Sequence, residues 1–97
     1  MTGADDAITV VRVRVSGRVQ GVWYRGWTVE RARLYGLAGW VRNRADGSVE
    51  ALFAGMPGAV AARVAECRAG PPAARVRELA VSPDSFAGSG FEQRPTV

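Results

Sequence analysis

A chain of 97 residues can build one compact domain but not two, and its 47% hydrophobic and 23% charged residues are typical of a globular protein. With no histidine and a single cysteine, the chain has no Ser-His or Cys-His nucleophile, no intrachain disulfide and no cysteine-based zinc site. The net charge of +4 rests on 13 basic residues, all of them arginine, and it favours anionic partners, either small phosphates or nucleic acid.

The amino-terminal stretch, MTGADDAITV, begins acidic and lacks the basic region and the long apolar region of a signal peptide. No apolar run approaches the ~20 residues that a membrane-spanning helix needs. We therefore expect a cytoplasmic protein with no membrane partner. Residues 1–7 are expected to form a short flexible lead, and residues 8–97 a single domain.

Seven segments have the periodicity of strands or helices. In chain order they are a strand from Thr9 to Val15, a helix from Tyr24 to Tyr35, strands over Gly39–Arg44 and Ser48–Ala54, a helix from Pro57 to Gly70, a strand over Ala74–Val81 and a short final strand over Phe91–Thr96. In the first strand, valines alternate with Arg12 and Arg14, which indicates one buried face. In the first helix, Tyr24, Thr28, Ala32 and Tyr35 form one stripe at helical spacing, which predicts its core-facing side.

Turn and packing signals refine the later elements. The Asp-Gly pair between the second and third strands indicates a hairpin, because these residues readily adopt the positive φ of tight turns. Cys67 shares helical spacing with Val60 and Val64, so we expect a buried structural thiol and not a reactive one. The imperfect alternation of the strand over Ala74–Val81 predicts a β-bulge.

The order of these elements, β-α-β-β-α-β with a short strand at the end, is that of an α+β protein. Two helices covering one face of an antiparallel sheet form a two-layer sandwich with the split-βαβ, ferredoxin-like architecture. Many unrelated activities share this architecture, so the fold class alone does not define a function.

The stretch GRVQGVWYR, residues 17–25, places polar residues at the corner between the first strand and the first helix. Backbone amides at a helix N-terminus lack helical partners, and Gly17 and Gly21 would let the chain curl so that these amides converge on an anion. Arg25, in the first helical turn, can reach the same point. A plain glycine-containing turn is the alternative. No Gly-Lys-Ser/Thr follows, so the stretch is not a nucleotide-binding P-loop.

Asn43 stands near the end of a strand, where β-propensity disfavours a carboxamide. A carboxamide can accept a hydrogen from water and also donate to an oxyanion, so Asn43 could orient a nucleophilic water without acting as a base. A turn-flanking residue with no chemical role is the alternative.

The stretch GRVQGVWYR and the later GWVRN, which runs on into DGSVE, together resemble the acylphosphatase family. The Asn of the second motif follows the Arg of the first by 18 residues, and the resemblance extends from Val11 through GPPAARV to the segment at Phe91. It implies a stand-alone enzyme that hydrolyses the carboxyl–phosphate bond of acyl phosphates to a carboxylate and inorganic phosphate, with no cofactor and no metal.

The resemblance also implies a role for each matching residue. Arg25 matches the phosphate-binding arginine, and Asn43 matches the asparagine that positions the attacking water. The loop whose backbone amides hold the phosphoryl oxygens corresponds to Ser16, Gly17, Arg18, Val19, Gln20, Gly21 and Val22. Tyr24 matches the aromatic residue that packs behind the arginine.

This reaction suits a chain without histidine. The leaving group of an acyl phosphate is a carboxylate, whose conjugate acid has a pKa of about 4, so it departs without a general acid. A loose phosphoryl-transfer transition state asks little of a general base, and catalysis becomes positioning and electrostatic stabilisation. Inorganic phosphate and sulfate are expected to compete for the same loop.

Three residues depart from those expected in the family: Trp23, Trp27 and Arg44. The two tryptophans could shape the acyl side of the pocket, and Arg44 could attract phosphate or solvate the strand end. None of them replaces a residue with an assigned role, so they bear on substrate preference and not on activity.

Three alternatives keep the same fold. A sheet-surface RNA-binding module would stack bases on aromatic residues of its central strands, but the first strand has none and Phe53 has the parity of the core. A non-catalytic phosphate binder would not need Asn43 to orient water. A domain of a larger maturation enzyme would be expected to carry zinc-finger cysteines, which this sequence lacks. We therefore expect a monomeric enzyme that acts on a small molecule and has no nucleic-acid partner.

Overall fold

The computed structural model describes residues 8–97, so the expected amino-terminal lead over residues 1–7 lies outside the described part of the chain. The elements in chain order are β1 (Thr9–Arg18), α1 (Tyr24–Leu34), β2 (Ala38–Asn43), β3 (Val49–Gly55), α2 (Pro57–Ala69), β4 (Arg75–Pro83) and β5 (Phe91–Gln93). All seven predicted elements are present. Their bounds agree with the predicted ones within one or two residues, except at the carboxyl ends of β1 and β5.

The strands form one five-stranded sheet in the order β4-β1-β3-β2-β5. The first four strands of this order pair antiparallel, and β5 pairs parallel to β2 at the edge. β4 finishes at the end of the sheet where β2 starts. The segment between β4 and β5 crosses the sheet along this end, so β5 runs in the same direction as β2. Both helices pack on the face that carries Val13, Ala51 and Phe53. The predicted ferredoxin-like, two-layer α+β sandwich is confirmed.

β1 continues through Arg18, three residues beyond the predicted end, because its last residues pair with β4. The register between the two strands shifts at Gly17, which leaves Arg77 of β4 without a partner and confirms the predicted bulge. Gly17 has a φ of 123°, and a Cβ at this position would collide with the backbone oxygen of Arg75. The loop that leads into α1 is therefore shorter than predicted and spans residues 19–23.

The predicted buried stripes of the two helices are confirmed except at Tyr35 and Val64, which are half-buried at the margin of the core. α1 buries Tyr24, Thr28 and Ala32, and α2 buries Val60 and Cys67. Burial raises the pKa of the Cys67 thiol, which disfavours the reactive thiolate and agrees with a structural role.

α2 also buries an arginine that the sequence analysis did not select. Arg63 is fully buried, and its guanidinium carbon lies 4.3 Å from the ring centroid of Trp27 and 5.6 Å from that of Phe53. Its Nη1 donates a hydrogen bond of 2.9 Å to Glu66, and its Nη2 lies 3.4 Å from the hydroxyl of Thr28. Arg63 therefore joins α2 to α1 and to the sheet through one side chain.

The opposite face of the sheet carries arginines around one buried carboxylate. Glu50 is 1% exposed and accepts hydrogen bonds of 2.9 Å from Nε of Arg42 and 3.0 Å from Nη1 of Arg44. Burial alone would raise the pKa of the Glu50 carboxyl, but the two arginines outweigh this effect and hold the pKa below its ordinary value. On the same face, the guanidinium carbons of Arg42 and Arg94 lie 4.6 and 5.2 Å from the ring centroid of Trp40.

Candidate active site

Tyr24 holds the corner between β1 and α1 against the core. It begins α1, is buried, and donates a hydrogen bond of 2.7 Å from its hydroxyl to the backbone oxygen of Cys67, near the end of α2. Its ring packs edge-to-face on Trp27 with the centroids 5.2 Å apart. Burial raises the pKa of the Tyr24 phenol above its ordinary value, so the hydroxyl keeps its proton and stays a donor. The first turn of α1, which carries Arg25, therefore starts from a fixed residue.

A cavity of about 210 Å³ opens at this corner. Its lining consists of Val19, Gly21, Trp23, Tyr24, Arg25, Gly26, Asn43 and Gln93. The cavity brings together Arg25, at the start of α1, and Asn43, at the end of β2, which are 18 residues apart in the sequence. A larger depression of about 550 Å³ lies between the end of α1 and the segment before β5, and it contains none of the predicted site residues.

The seven residues predicted to form the phosphate loop fall into two groups. Ser16, Gly17 and Arg18 are strand residues of β1. Val19, Gln20, Gly21 and Val22 belong to the loop that follows. Val19 and Gly21 line the cavity, whereas Ser16 and Gly17 line a separate depression beside the β2–β3 turn, and Arg18 is exposed. The cavity is therefore lined by two residues from the second half of the predicted loop and by the amino end of α1.

The side chain of Gln20 connects this loop to the hairpin that follows β2. Its Nε2 donates hydrogen bonds of 2.8 Å to the backbone oxygen of Arg44 and 2.9 Å to that of Ser48. These carbonyls flank the turn directly after Asn43, so one side chain holds the loop beside the end of β2. Sequence reasoning assigned Gln20 only a backbone amide, because carbonyl partners distant in the chain leave no local pattern.

Asn43 is the last residue of β2 and lies opposite Val49. Its backbone oxygen accepts a hydrogen bond of 3.2 Å from the backbone nitrogen of Val97. Its side-chain Oδ1 is buried and has no hydrogen-bond partner within residues 8–97. A buried polar atom left unpaired costs about 1–3 kcal/mol, so the fold keeps an unsatisfied acceptor on a residue that lines the cavity.

The carboxyl-terminal segment forms one side of the cavity. Gln93 of β5 lies opposite Val41 of β2 and contributes to the lining. Beyond it, the backbone nitrogen of Arg94 donates to Val41, and the backbone oxygen of Val97 accepts from Ala45. Gln93 was predicted only as part of a short final strand, and its place at the cavity depends on the pairing of β5 with β2.

Arg25 is the positively charged residue of the cavity, and it takes part in none of the ion pairs within residues 8–97. The first turn of α1 holds no acidic residue, and no carboxylate lines the cavity. Arg42 and Arg44, which flank Asn43 in the sequence, both form ion pairs with Glu50 on the open face of the sheet. The Arg44 guanidinium thus binds a buried carboxylate. The sequence had suggested two other roles for Arg44, namely attraction of phosphate and solvation of the strand end.

Two further features of residues 8–97 bear on the chemistry. No group of three His, Cys, Asp or Glu side chains in this range is placed to hold a metal ion. Neither helix in the range has the length and apolar character needed to cross a membrane.

The fold and the cavity define a small α+β protein with a carboxylate-free, basic site at the amino end of a helix. The family model for Acylphosphatase matches residues 11–92. The chain belongs to the acylphosphatase family, a family of hydrolases, and the resemblance expected from the two sequence motifs is confirmed.

Individual relatives agree with this assignment along nearly their full length. An acylphosphatase of Rhodospirillum rubrum is 62% identical over 86 residues, which cover 88% of this chain and 94% of that protein. The structure of an acylphosphatase from Coxiella burnetii has a TM-score of 0.89 and 32% identity, and the match covers 97% of this chain and 100% of that one. The crystal structure of acylphosphatase from Bacillus subtilis has a TM-score of 0.84 and 36% identity over 90% and 98% of the two chains.

Proposed function

We propose that the protein hydrolyses the carboxyl–phosphate bond of acyl phosphates to a carboxylate and inorganic phosphate, and that Arg25 and Asn43 carry the reaction. One observation carries this proposal. A guanidinium without an ion pair, a carboxamide with an unpaired oxygen and the amino end of a helix meet in one cavity. Membership in the acylphosphatase family supplies the reaction class.

The amino end of α1 provides the phosphate site in this proposal. Trp23 is the N-cap residue and makes no side-chain capping hydrogen bond, so no side chain competes for the first amides of the helix. These amides and the positive end of the helix dipole attract an anion, and Arg25 adds a charge-assisted fork to the same oxygens. The loop amides of residues 19–22 complete the proposed cradle. Ser16, Gly17 and Arg18 support it as the end of β1.

Asn43 orients the attacking water in this proposal. Asn43 lines the cavity, and its carboxamide can hydrogen-bond a water placed between Asn43 and the phosphorus atom. The water oxygen attacks phosphorus, and the bond from phosphorus to the acyl oxygen breaks, so that the carboxylate leaves with the electron pair. A phosphate oxygen takes the proton of the water. The protein positions the reactants and stabilises charge, and it transfers no proton itself.

Two of the alternatives are less well supported. A non-catalytic phosphate binder gives the carboxamide of Asn43, which lines the cavity, no role. An RNA-binding sheet needs exposed aromatic faces, and Trp40 on the open face is only 7% exposed, with the guanidinium groups of Arg42 and Arg94 close to its ring. Phe53 is in the core, as its parity predicted.

Hydrolysis of a simple aryl acyl phosphate by the purified protein is the direct test of the proposal. Turnover is expected without added metal and should be unchanged by EDTA. Inorganic phosphate and sulfate should inhibit competitively, because both fit the same cradle. Binding of a fluorescent RNA at moderate salt, without turnover of the acyl phosphate, would contradict the proposal in favour of the RNA-binding alternative. Loss of activity on chelation would contradict the metal-free mechanism.

Replacing Gln20 with leucine is expected to lower kcat/KM for the same substrate by about tenfold. The variant loses both hydrogen bonds that hold the loop beside Asn43, so the loop and the water-orienting residue lose their fixed separation, and small misplacements of this kind reduce rates strongly. Steady-state kinetics and circular dichroism measure the two effects separately. Wild-type kinetics in a folded Gln20→Leu variant would show that backbone pairing alone positions the loop.

A monomeric state, a cytoplasmic location and a single domain over residues 8–97 remain part of the proposal, as does the identity of the substrate as a small-molecule acyl phosphate. The two edge strands of the sheet are β4 and β5. The bulge and charged side chains of β4 oppose edge pairing, and β5 has only three residues.

A further inference from the structure

Trp23 is a large aromatic side chain exposed at the cavity. It is 59% exposed and lines the same cavity as Arg25 and Asn43. Among residues 8–97 it is the only non-glycine residue with a positive φ, at 67° with ψ 20°. Glycine or asparagine adopts this left-handed conformation more easily than a bulky residue does. The indole of Trp23 therefore occupies this position against the backbone preference. Strained residues of this kind concentrate at functional sites.

Gly26 makes room for the indole of Trp23. A Cβ built on Gly26 would overlap Nε1 of Trp23 and would lie 2.7 Å from Cδ1 and 3.0 Å from Cε2. The ring therefore lies across the backbone of the first turn of α1, in a space that only a glycine leaves open. Gly26 has no positive φ, so the space for the indole is what this glycine provides. The ring thus packs on the backbone of Gly26, another residue of the cavity lining.

The acyl part of a substrate must lie beside this ring. If the phosphoryl group occupies the polar part of the cavity, formed by the helix amides and Arg25, the acyl group has to leave toward the remaining lining. The largest apolar surface of that lining is the Trp23 indole, with Gln93 as a further side chain. An acetyl group is too small to cover the indole, whereas an aromatic acyl group can stack on it.

We propose that Trp23, held by Gly26, is the specificity-determining residue for the acyl group and selects aromatic or extended apolar acyl phosphates over acetyl-sized ones. This inference rests on the proposed function of the cavity. The indole removes apolar acyl surface from water and offers an aromatic face for stacking, while the phosphate half of the site stays as described.

The test measures kcat/KM for benzoyl phosphate and for acetyl phosphate in each variant and compares the ratio of the two values. Trp23→Asn, which tolerates the positive φ, is expected to lower this ratio about tenfold, or about 1.4 kcal/mol, mainly through a higher KM for benzoyl phosphate. Trp23→Phe should keep most of the wild-type ratio. Comparing ratios between variants cancels the difference in intrinsic reactivity of the two substrates.

Gly26→Ala provides a second variant that leaves Trp23 itself in place. Its methyl group displaces the indole, so the ratio should fall as in Trp23→Asn. Gly58→Ala is the matched control, because Gly58 also lies in a first helical turn and a Cβ there meets nothing within 4 Å. Its ratio should equal that of the wild type.

An unchanged ratio in both Trp23→Asn and Gly26→Ala would overturn the inference. So would a rise in the inhibition constant of inorganic phosphate parallel to the rise in KM for benzoyl phosphate, because it would show a distorted phosphate loop instead of a lost acyl contact. If the wild-type protein hydrolyses neither substrate, the proposed function itself fails, which is distinct from hydrolysis of both with an unchanged ratio.

Discussion

Replacing Arg25 with glutamine is expected to lower kcat/KM for acyl phosphate hydrolysis by about 10³-fold, because the variant loses the charge that stabilises the equatorial oxygens of the transferring phosphoryl group. Glutamine keeps most of the side-chain length and the helix. Arg25 forms no ion pair within residues 8–97, so its replacement leaves no carboxylate unpaired and should not unfold the protein. Steady-state kinetics and circular dichroism measure the two effects.

Asn43→Ala is expected to lower the same constant by about 10²-fold or more through a different step. Alanine removes the carboxamide proposed to orient the water and leaves the proposed phosphate site at α1 in place. The inhibition constant of inorganic phosphate separates the two variants, since it should rise in Arg25→Gln and stay near the wild-type value in Asn43→Ala. Near-normal turnover in either folded variant would refute the assignment of that residue. Arg68→Gln is the control, because Arg68 is exposed on α2, away from the cavity.

Replacing Arg63 with alanine is expected to lower the free energy of unfolding by about 2–4 kcal/mol. The side chain is fully buried between Trp27 and Phe53, and its removal leaves a cavity between α2, α1 and the sheet. Glu66 is not left unpaired, because Arg31 and Tyr35 also donate hydrogen bonds to its carboxylate. The hydrogen bond from Arg31 is the main reason that the pKa of the Glu66 carboxyl lies below its ordinary value.

Arg63→Met tests whether volume or charge accounts for this loss. Methionine fills much of the same space without a buried charge, so its cost should stay below about 1.5 kcal/mol. Urea unfolding followed by circular dichroism gives the free energies, with the exposed Arg68→Ala as control. A Met variant as unstable as the Ala variant would show that the hydrogen bonds and cation–π contacts of the guanidinium, not its packing, stabilise the core.

Local periodicity predicted most of the secondary structure, since side chains repeat every two residues in a strand and every 3.6 in a helix regardless of the partner. The stripe of Tyr24, Thr28 and Ala32 on α1 is buried as expected. The bulge in β4 and the Asp-Gly turn are also present. By contrast, Gly17 lies inside β1, since pairing with β4 extends the strand past a glycine that local rules take for a turn.

Contacts between distant residues left no such pattern. Arg63 has the composition of a surface residue and is buried, because Glu66, Trp27 and Phe53 surround its guanidinium from three elements. Arg44 was considered as a source of phosphate attraction and instead pairs with Glu50. The burial of Arg63 depends on the packing of α1 and the sheet against α2, and the pairing of Arg44 depends on the β2–β3 hairpin, which brings Glu50 alongside it.

The site divides in the same way. The stretch GRVQGVWYR and Asn43 are recognisable in the sequence, because the residue types that hold a phosphate and orient a water occur there at the strand-to-helix corner and at a strand end. The sequence thus predicted the reaction class, which agrees with the family of the chain, and it led to the proposal that Arg25 and Asn43 are the two central residues. That Gln20 bridges to the β2–β3 hairpin, that Gln93 joins the cavity and that the indole of Trp23 lies over Gly26 were decided by the tertiary structure alone. Each of these depends on where separate elements meet, or on how a side chain folds over the backbone, and no spacing in the chain encodes that.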